Sequence, residues 1–167
     1  MVTMSSNNAS RIGIAMLLSA LAFVGSVVPI MFAGSIEWYD KLDKPFFAAP
    51  GWLFSPALVV LFLLMGIALY IVWQKWPAKE AKMAMSLYLA LLALNVVWIS
   101  LFFGLQNAAG IMFALAESAI MLAIAVLTTG RFYRLDRRAG YLLAPCLLWG
   151  AYVVCLNAAI WLMNPGA

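Results

Sequence analysis

The stretch Trp38–Leu58, WYDKLDKPFFAAPGWLFSPAL, decides how the rest of this chain is read. On its N-terminal side Ile12–Ala33 is apolar for 22 residues, and from Trp52 to Gln74 the chain is apolar again. Each run is long enough to cross the ~30 Å of a bilayer's hydrocarbon. A reversal between two membrane helices needs only a short polar turn. This connection instead holds Pro45, Pro50 and Pro56, two of the seven tryptophans, and the charged residues Asp40, Lys41, Asp43 and Lys44. Proline fixes φ and pushes the residue before it towards extended geometry. Residues 34–51 are therefore expected to fold over the bundle as a stiffened lid. Trp38, Tyr39, Phe46, Phe47, Trp52 and Phe54 would be its apolar surface. The plainer alternative is a belt of aromatics anchored at headgroup level.

Two thirds of the 167 residues are apolar and about a tenth are charged, more apolar surface than a soluble domain can hide. The fold class that follows is an all-α polytopic membrane bundle, a single domain over residues 1–167. Its five helices are expected near 12–33, 52–74, 83–105, 110–129 and 139–163. A cleaved signal peptide is the rival reading of the first run, but its apolar core would be only about 7–15 residues. Five spans put the termini on opposite sides of the bilayer. Eight of the ten basic residues (Arg11, Lys75, Lys79, Lys82, Arg131, Arg134, Arg137 and Arg138) fall on the N-terminal side, and Lys41 and Lys44 on the other. The positive-inside rule then places the N-terminus in the cytoplasm and the lid outside the cell membrane.

The formal charge of +4 sits in these short flanking stretches, so nucleic acid is not an expected partner. The chain has no histidine, the commonest metal ligand and the usual haem axial ligand, and no metal or required cofactor is expected. Cys146 and Cys155 stand roughly 13 Å apart along one helix, too far for a disulfide, and read as packing thiols. Small residues recur at four-residue spacing in Ala15/Ser19, Ala22/Ser26 and Gly110/Ala114/Ser118. Such stripes permit close helix contact and lead us to expect a homodimer.

Few polar residues lie inside the spans. Asn95 and Trp98 share a face of the third, either as helix–helix glue or as part of a cavity wall. Glu117 is the one ionisable residue deep in a span, and a carboxylate there should face the interior, a partner or water. It is a candidate polar or proton site; a hydrogen bond to a neighbouring helix is the structural alternative. Phe113, Glu117 and Ile120 fall on one stripe, as do Trp149, Val153 and Asn157 in the fifth span.

The run W-Y-x-x-L-x-K-P, an aromatic, then P-x-W-x-F-x-P, carried by Trp38, Tyr39, Leu42, Lys44, Pro45, Pro50, Trp52, Phe54 and Pro56, resembles the TspO/MBR family of tryptophan-rich sensory and translocator proteins. Phe23-Val24-Gly25-Ser26, Leu94-Asn95-Val96-Val97-Trp98, Phe102-Phe103-Gly104, Pro145-Cys146-Leu147-Leu148-Trp149 and Leu156-Asn157 resemble further family strings, in order. Departures are Ala49 in a usual Pro-Pro pair, Leu58 for a further Trp, Leu91 for Gln, Ser100 for Pro and Cys146 for Tyr.

The resemblance implies a pocket for flat hydrophobic ligands: porphyrins such as protoporphyrin IX, and isoquinoline or benzodiazepine-type compounds. Phe47, Phe54, Leu58, Asn95, Trp98, Phe113, Ile120, Trp149 and Val153 would line it. The implied role is a membrane sensor or transporter in tetrapyrrole or stress regulation, with porphyrin as ligand rather than cofactor. The alternative is a light- and oxygen-dependent porphyrin-degrading enzyme. That activity would centre on tryptophans matching Leu58 and Trp149, of which only Trp149 is present. A small proton-coupled exporter using Glu117 fits the helix count and the lid poorly. After Leu156 the chain has no Tyr, Lys or Arg, so cholesterol binding is not implied.

Overall fold

The computed structural model describes residues 6–31 and 35–166. Its elements are α1 (Ser6–Met31), α2 (Ser35–Lys41), α3 (Gly51–Trp73), α4 (Lys79–Leu105), α5 (Ala108–Leu135) and α6 (Arg137–Met163), with no strand among the described residues. Five of these, all but α2, are long and apolar enough to cross a membrane. Helices are the natural outcome, because in hydrocarbon each backbone N–H and C=O must find its partner within the segment. The expected end of the first span at Ala33 and the first lid residue, Gly34, lie outside the described residues, as do residues 1–5 and Ala167.

The spans close into a ring in the order α1, α3, α6, α5, α4. The interior holds Ser19, Ser26, Ser118, Thr128 and Asn157, while Leu17, Leu21, Leu63, Leu148 and Leu162 point outward. Lipid solvates apolar side chains as well as a protein core does, so close approach decides what goes inside. Ser19 Oγ meets Tyr88 Oη at 2.7 Å, joining α1 to α4. Ser26 Oγ donates to Asn95 Oδ1 at 3.0 Å one level nearer the lid. The α1 stripe and the α5 row Gly110, Ala114 and Ser118 are all buried. Both stripes are used within the protomer and so say nothing of a second copy.

The structure corrects the expected boundaries in two ways. α4 begins at Lys79, α5 runs on to Leu135 and α6 begins at Arg137, so the basic residues cap helices rather than ending them. Charged side chains beyond the hydrocarbon remain good helix formers. The α4–α5 link shrinks to Gln106, in the left-handed region at φ 48°, and Asn107, whose Oδ1 accepts from Gly110 N at 2.8 Å as the N-cap of α5. Asp136 caps α6 in the same way, accepting from Arg138 N at 2.9 Å.

Candidate ligand-binding cavity

The lid contains a helix that the proline pattern alone did not announce. α2 ends under the Lys44 ammonium, which donates to the carbonyls of Asp40 at 3.1 Å and Leu42 at 3.2 Å and lies 4.8 Å from the Tyr39 ring centroid. Trp38 and Tyr39 of this helix pack on Phe102 at 5.6 and 6.2 Å, and Tyr39 on Phe103 at 5.9 Å. Pro45 O then accepts from Ala48 N at 2.9 Å in a tight turn, and Pro50 starts α3. Only part of the expected aromatic surface covers the bundle. Phe46 points fully outward and Trp52 is 73% exposed, so these two do not cover the bundle.

Tyr152 of α6 and Asn164, the C-cap of that helix, pin the lid. Asn164 Oδ1 accepts from Asp43 N at 2.9 Å, while its Nδ2 donates to Asp43 O at 2.9 Å and Ile160 O at 2.8 Å. Tyr152 Oη accepts from Ala49 N at 2.8 Å. Neither residue follows from a sequence pattern. Asn164 reads as a tail residue and Tyr152 as one more aromatic of the last span.

Beneath the lid lies a cavity of about 240 Å³ lined by Tyr39 and Asp40 from α2, Phe54 and Leu58 from α3, Trp98, Phe102 and Phe103 from α4, and Val153 and Asn157 from α6. A second space of about 70 Å³ adjoins it deeper in the bundle, where Asn95, Met121 and Trp149 join Leu58, Trp98 and Val153. The walls are aromatic and aliphatic. Trp98 stacks on Phe102 at 5.7 Å, and Phe54 meets Trp149 edge-on at 5.5 Å. Two buried donors, Tyr39 Oη and Trp98 Nε1, have no hydrogen-bond partner among the described residues. Burial, and then the neighbouring Tyr152 and Asp40, push the Tyr39 phenol above its ordinary value, so it stays protonated as a donor.

Of the residues expected to line a pocket, Phe54, Leu58, Asn95, Trp98, Trp149 and Val153 surround these two spaces. Three do not. Phe47 lies in an outer groove between α3 and α6. Phe113 and Ile120 are 50% and 57% exposed on the outer face of α5. The small row Gly110, Ala114 and Ser118 is what α5 turns inward, and that rotation carries the two larger side chains towards lipid. Glu117, on the edge of that row, is 8% exposed, lines neither cavity, and its two carboxyl oxygens have no hydrogen-bond partner among the described residues. Asn95 combines both of its readings, bonding Ser26 and walling the deeper space.

Comparison with known proteins agrees with this architecture. The profile of the TspO/MBR family matches residues 14–162. The chain is 39% identical over 158 residues to the tryptophan-rich protein TspO of Archaeoglobus fulgidus, covering 89% of this chain and 98% of that one. It is 35% identical over 128 residues to the tryptophan-rich sensory protein of Cereibacter sphaeroides, covering 77% of each. With the human translocator protein it shares 32% identity over 146 residues, covering 86% of this chain and 83% of the relative. Five apolar spans, a lid carrying the Trp38–Pro56 string and a match over nearly the whole length lead to one assignment: this integral membrane protein belongs to the TspO/MBR family.

Proposed function

We propose that the space beneath the lid binds a planar, mainly apolar ligand of the porphyrin class, with protoporphyrin IX as the reference compound, and that the protein acts as a sensor or carrier of such molecules. The observation that carries this reading is the pairing of aromatic walls with two orphaned donors, Tyr39 Oη and Trp98 Nε1. A buried donor without a partner costs ~1–3 kcal/mol, which a ligand acceptor would recover. A flat conjugated ring offers faces to Phe54, Trp98 and Phe102, and a rim carboxylate or carbonyl offers the acceptor. Isoquinoline and benzodiazepine-type compounds share that chemistry on a smaller frame. The relatives named as sensory and translocator proteins fit either role. Porphyrin degradation has one indole in place, Trp149 in the wall of the deeper space, but Leu58 offers no second one.

We place the lid on the outer side of the cell membrane and the N-terminus in the cytoplasm. Lys75, Lys79, Lys82 and the four arginines from Arg131 to Arg138 sit at the end of the bundle away from the lid. Labelling of Asp43→Cys by a membrane-impermeant reagent from outside supports this, and labelling only from inside reverses it. Titrating the protein in nanodiscs with protoporphyrin IX, in the dark and under light, tests the binding reading. Saturable tryptophan quenching with a constant porphyrin absorption band is expected. Absence of saturable quenching refutes binding, and rapid loss of the band refutes a role limited to binding.

A further inference from the structure

The outer face of the bundle carries an open apolar groove of about 690 Å³ between α3 and α6, below Phe47 of the lid. Two of its residues, Leu61 and Trp149, also wall the deeper inner space. One indole and one leucine therefore stand between the hydrocarbon and the interior. The flanking helices each carry a proline in this groove, Pro56 and Pro145. A proline within a helix removes the i→i−4 hydrogen bond and lets the helix bend there. α6 packs more extensively on α5 than on α3. The polar contact across the α3–α6 seam, Cys146 Sγ on the Leu61 carbonyl, is long at 3.9 Å.

The lid is held to the last span by shorter contacts. Asn164 and Tyr152 hold the backbone of Asp43 and Ala49 through three hydrogen bonds of 2.8–2.9 Å. Passage under the lid past Asn164 and Tyr152 breaks these bonds, whereas passage between α3 and α6 requires Leu61 and Trp149 to move, the indole leaving its contacts with Phe54 and Tyr152. We propose that apolar ligands dissolved in the bilayer pass into the inner cavity laterally, between α3 and α6, with Trp149 as the gate. This rests on the ligand-binding reading above. It names the route and the source, the hydrocarbon layer rather than the aqueous phase.

The test is stopped-flow binding of protoporphyrin IX to the whole protein in nanodiscs, for the unmodified chain and for Ala57→Phe and Val60→Phe. Both positions line the outer groove and neither lines the inner spaces. Val60 already faces outward, so its variant keeps the test valid should Ala57→Phe fail to fold. Filling a passage slows association and dissociation together, by roughly tenfold, and leaves Kd within about a factor of two, because the site itself is untouched. Unchanged rates in both folded variants, with Asn164→Ala accelerating association and dissociation alike, overturn the lateral route in favour of passage under the lid. Absence of saturable binding by the unmodified protein overturns the ligand reading and the gate with it. Saturable binding with unaltered variant rates removes the gate alone.

Discussion

Replacing Asn164 by alanine removes one tie between the lid and the last span and leaves the Tyr152–Ala49 bond in place. The side chain gives the lid two hydrogen bonds, both to the Asp43 backbone and both at 2.9 Å. Each is worth ~0.5–1.5 kcal/mol net, and the exposed position favours the lower half of that range. Losing both should cost ~1–2 kcal/mol of lid closure, a factor of roughly 5–30 in the open population. The core does not include this contact, so the change should be local. Hydrogen exchange followed by mass spectrometry reads it directly. The Asp43 amide should lose protection by that factor, while amides around Leu69 and Phe132, both fully enclosed, keep theirs. Tyr152→Phe should loosen Ala49 by a similar single-bond amount, since it removes the acceptor 2.8 Å away. Independent ties would add within ~0.3–0.5 kcal/mol in the double variant. Unchanged protection at Asp43, or an equal loss throughout the core, would refute the view of Asn164 as a local pin.

Trp98→Ala should weaken protoporphyrin binding by ~1–3 kcal/mol, about 5–150-fold in Kd, by removing an aromatic wall and one orphaned donor. Unchanged affinity in quenching titrations of both Trp98→Ala and Trp149→Ala would move the ligand elsewhere. Leu58→Trp places an indole at the junction of the two inner spaces and should raise light-dependent porphyrin loss, followed by absorbance. Overpacking costs ~1–3 kcal/mol, so thermal stability is measured on the same sample. Because the folded Tyr39 phenol titrates above its ordinary value, its contribution to closure is full below about pH 10 and is lost as pH rises through the folded value. Affinity should therefore show no Tyr39-linked step from about pH 7 to 9 and weaken at higher pH. Tyr39→Phe should abolish that alkaline weakening.

The five spans were legible because bilayer thickness sets a length that hydropathy measures directly. Helix ends were not, since hydropathy reports where the hydrocarbon stops and the backbone hydrogen bonds continue past it, as at Lys79 and Leu135. α2 escaped because SIEWYDK is two turns long, too short to display a periodicity. Phe54, Leu58, Trp98 and Val153 were placed by motif resemblance, and the structure gathers them. Phe113 and Ile120, matched by the same resemblance, face outward instead. Their spacing puts them on one stripe, but a stripe does not say which way the helix is turned. The signal that would have oriented α5 lay beside them, in the row Gly110, Ala114 and Ser118. Small residues go where helices approach closely, and the large ones are left to lipid. Asn164 and Tyr152 lie more than 100 positions from the lid atoms they hold, a pairing only the fold reveals.

At about 240 and 70 Å³, each inner compartment is smaller than the ~300–1,000 Å³ of ordinary ligand pockets. A porphyrin could not occupy either without displacing side chains, so the binding proposed above requires coupled movement. Leu58, Trp98, Ile99 and Val153 wall both compartments, and a shift of this shared boundary would merge them. Leucine at 58 favours that merger, because a flexible aliphatic chain yields where an indole would fill the junction. Leucine at 58 therefore leaves adjustable space at the junction where an indole would not. Coupling of this kind is what a sensor requires. A ligand shifts a two-state element only by its difference in affinity for the two states. A cavity that must enlarge to be filled has that difference built into its walls.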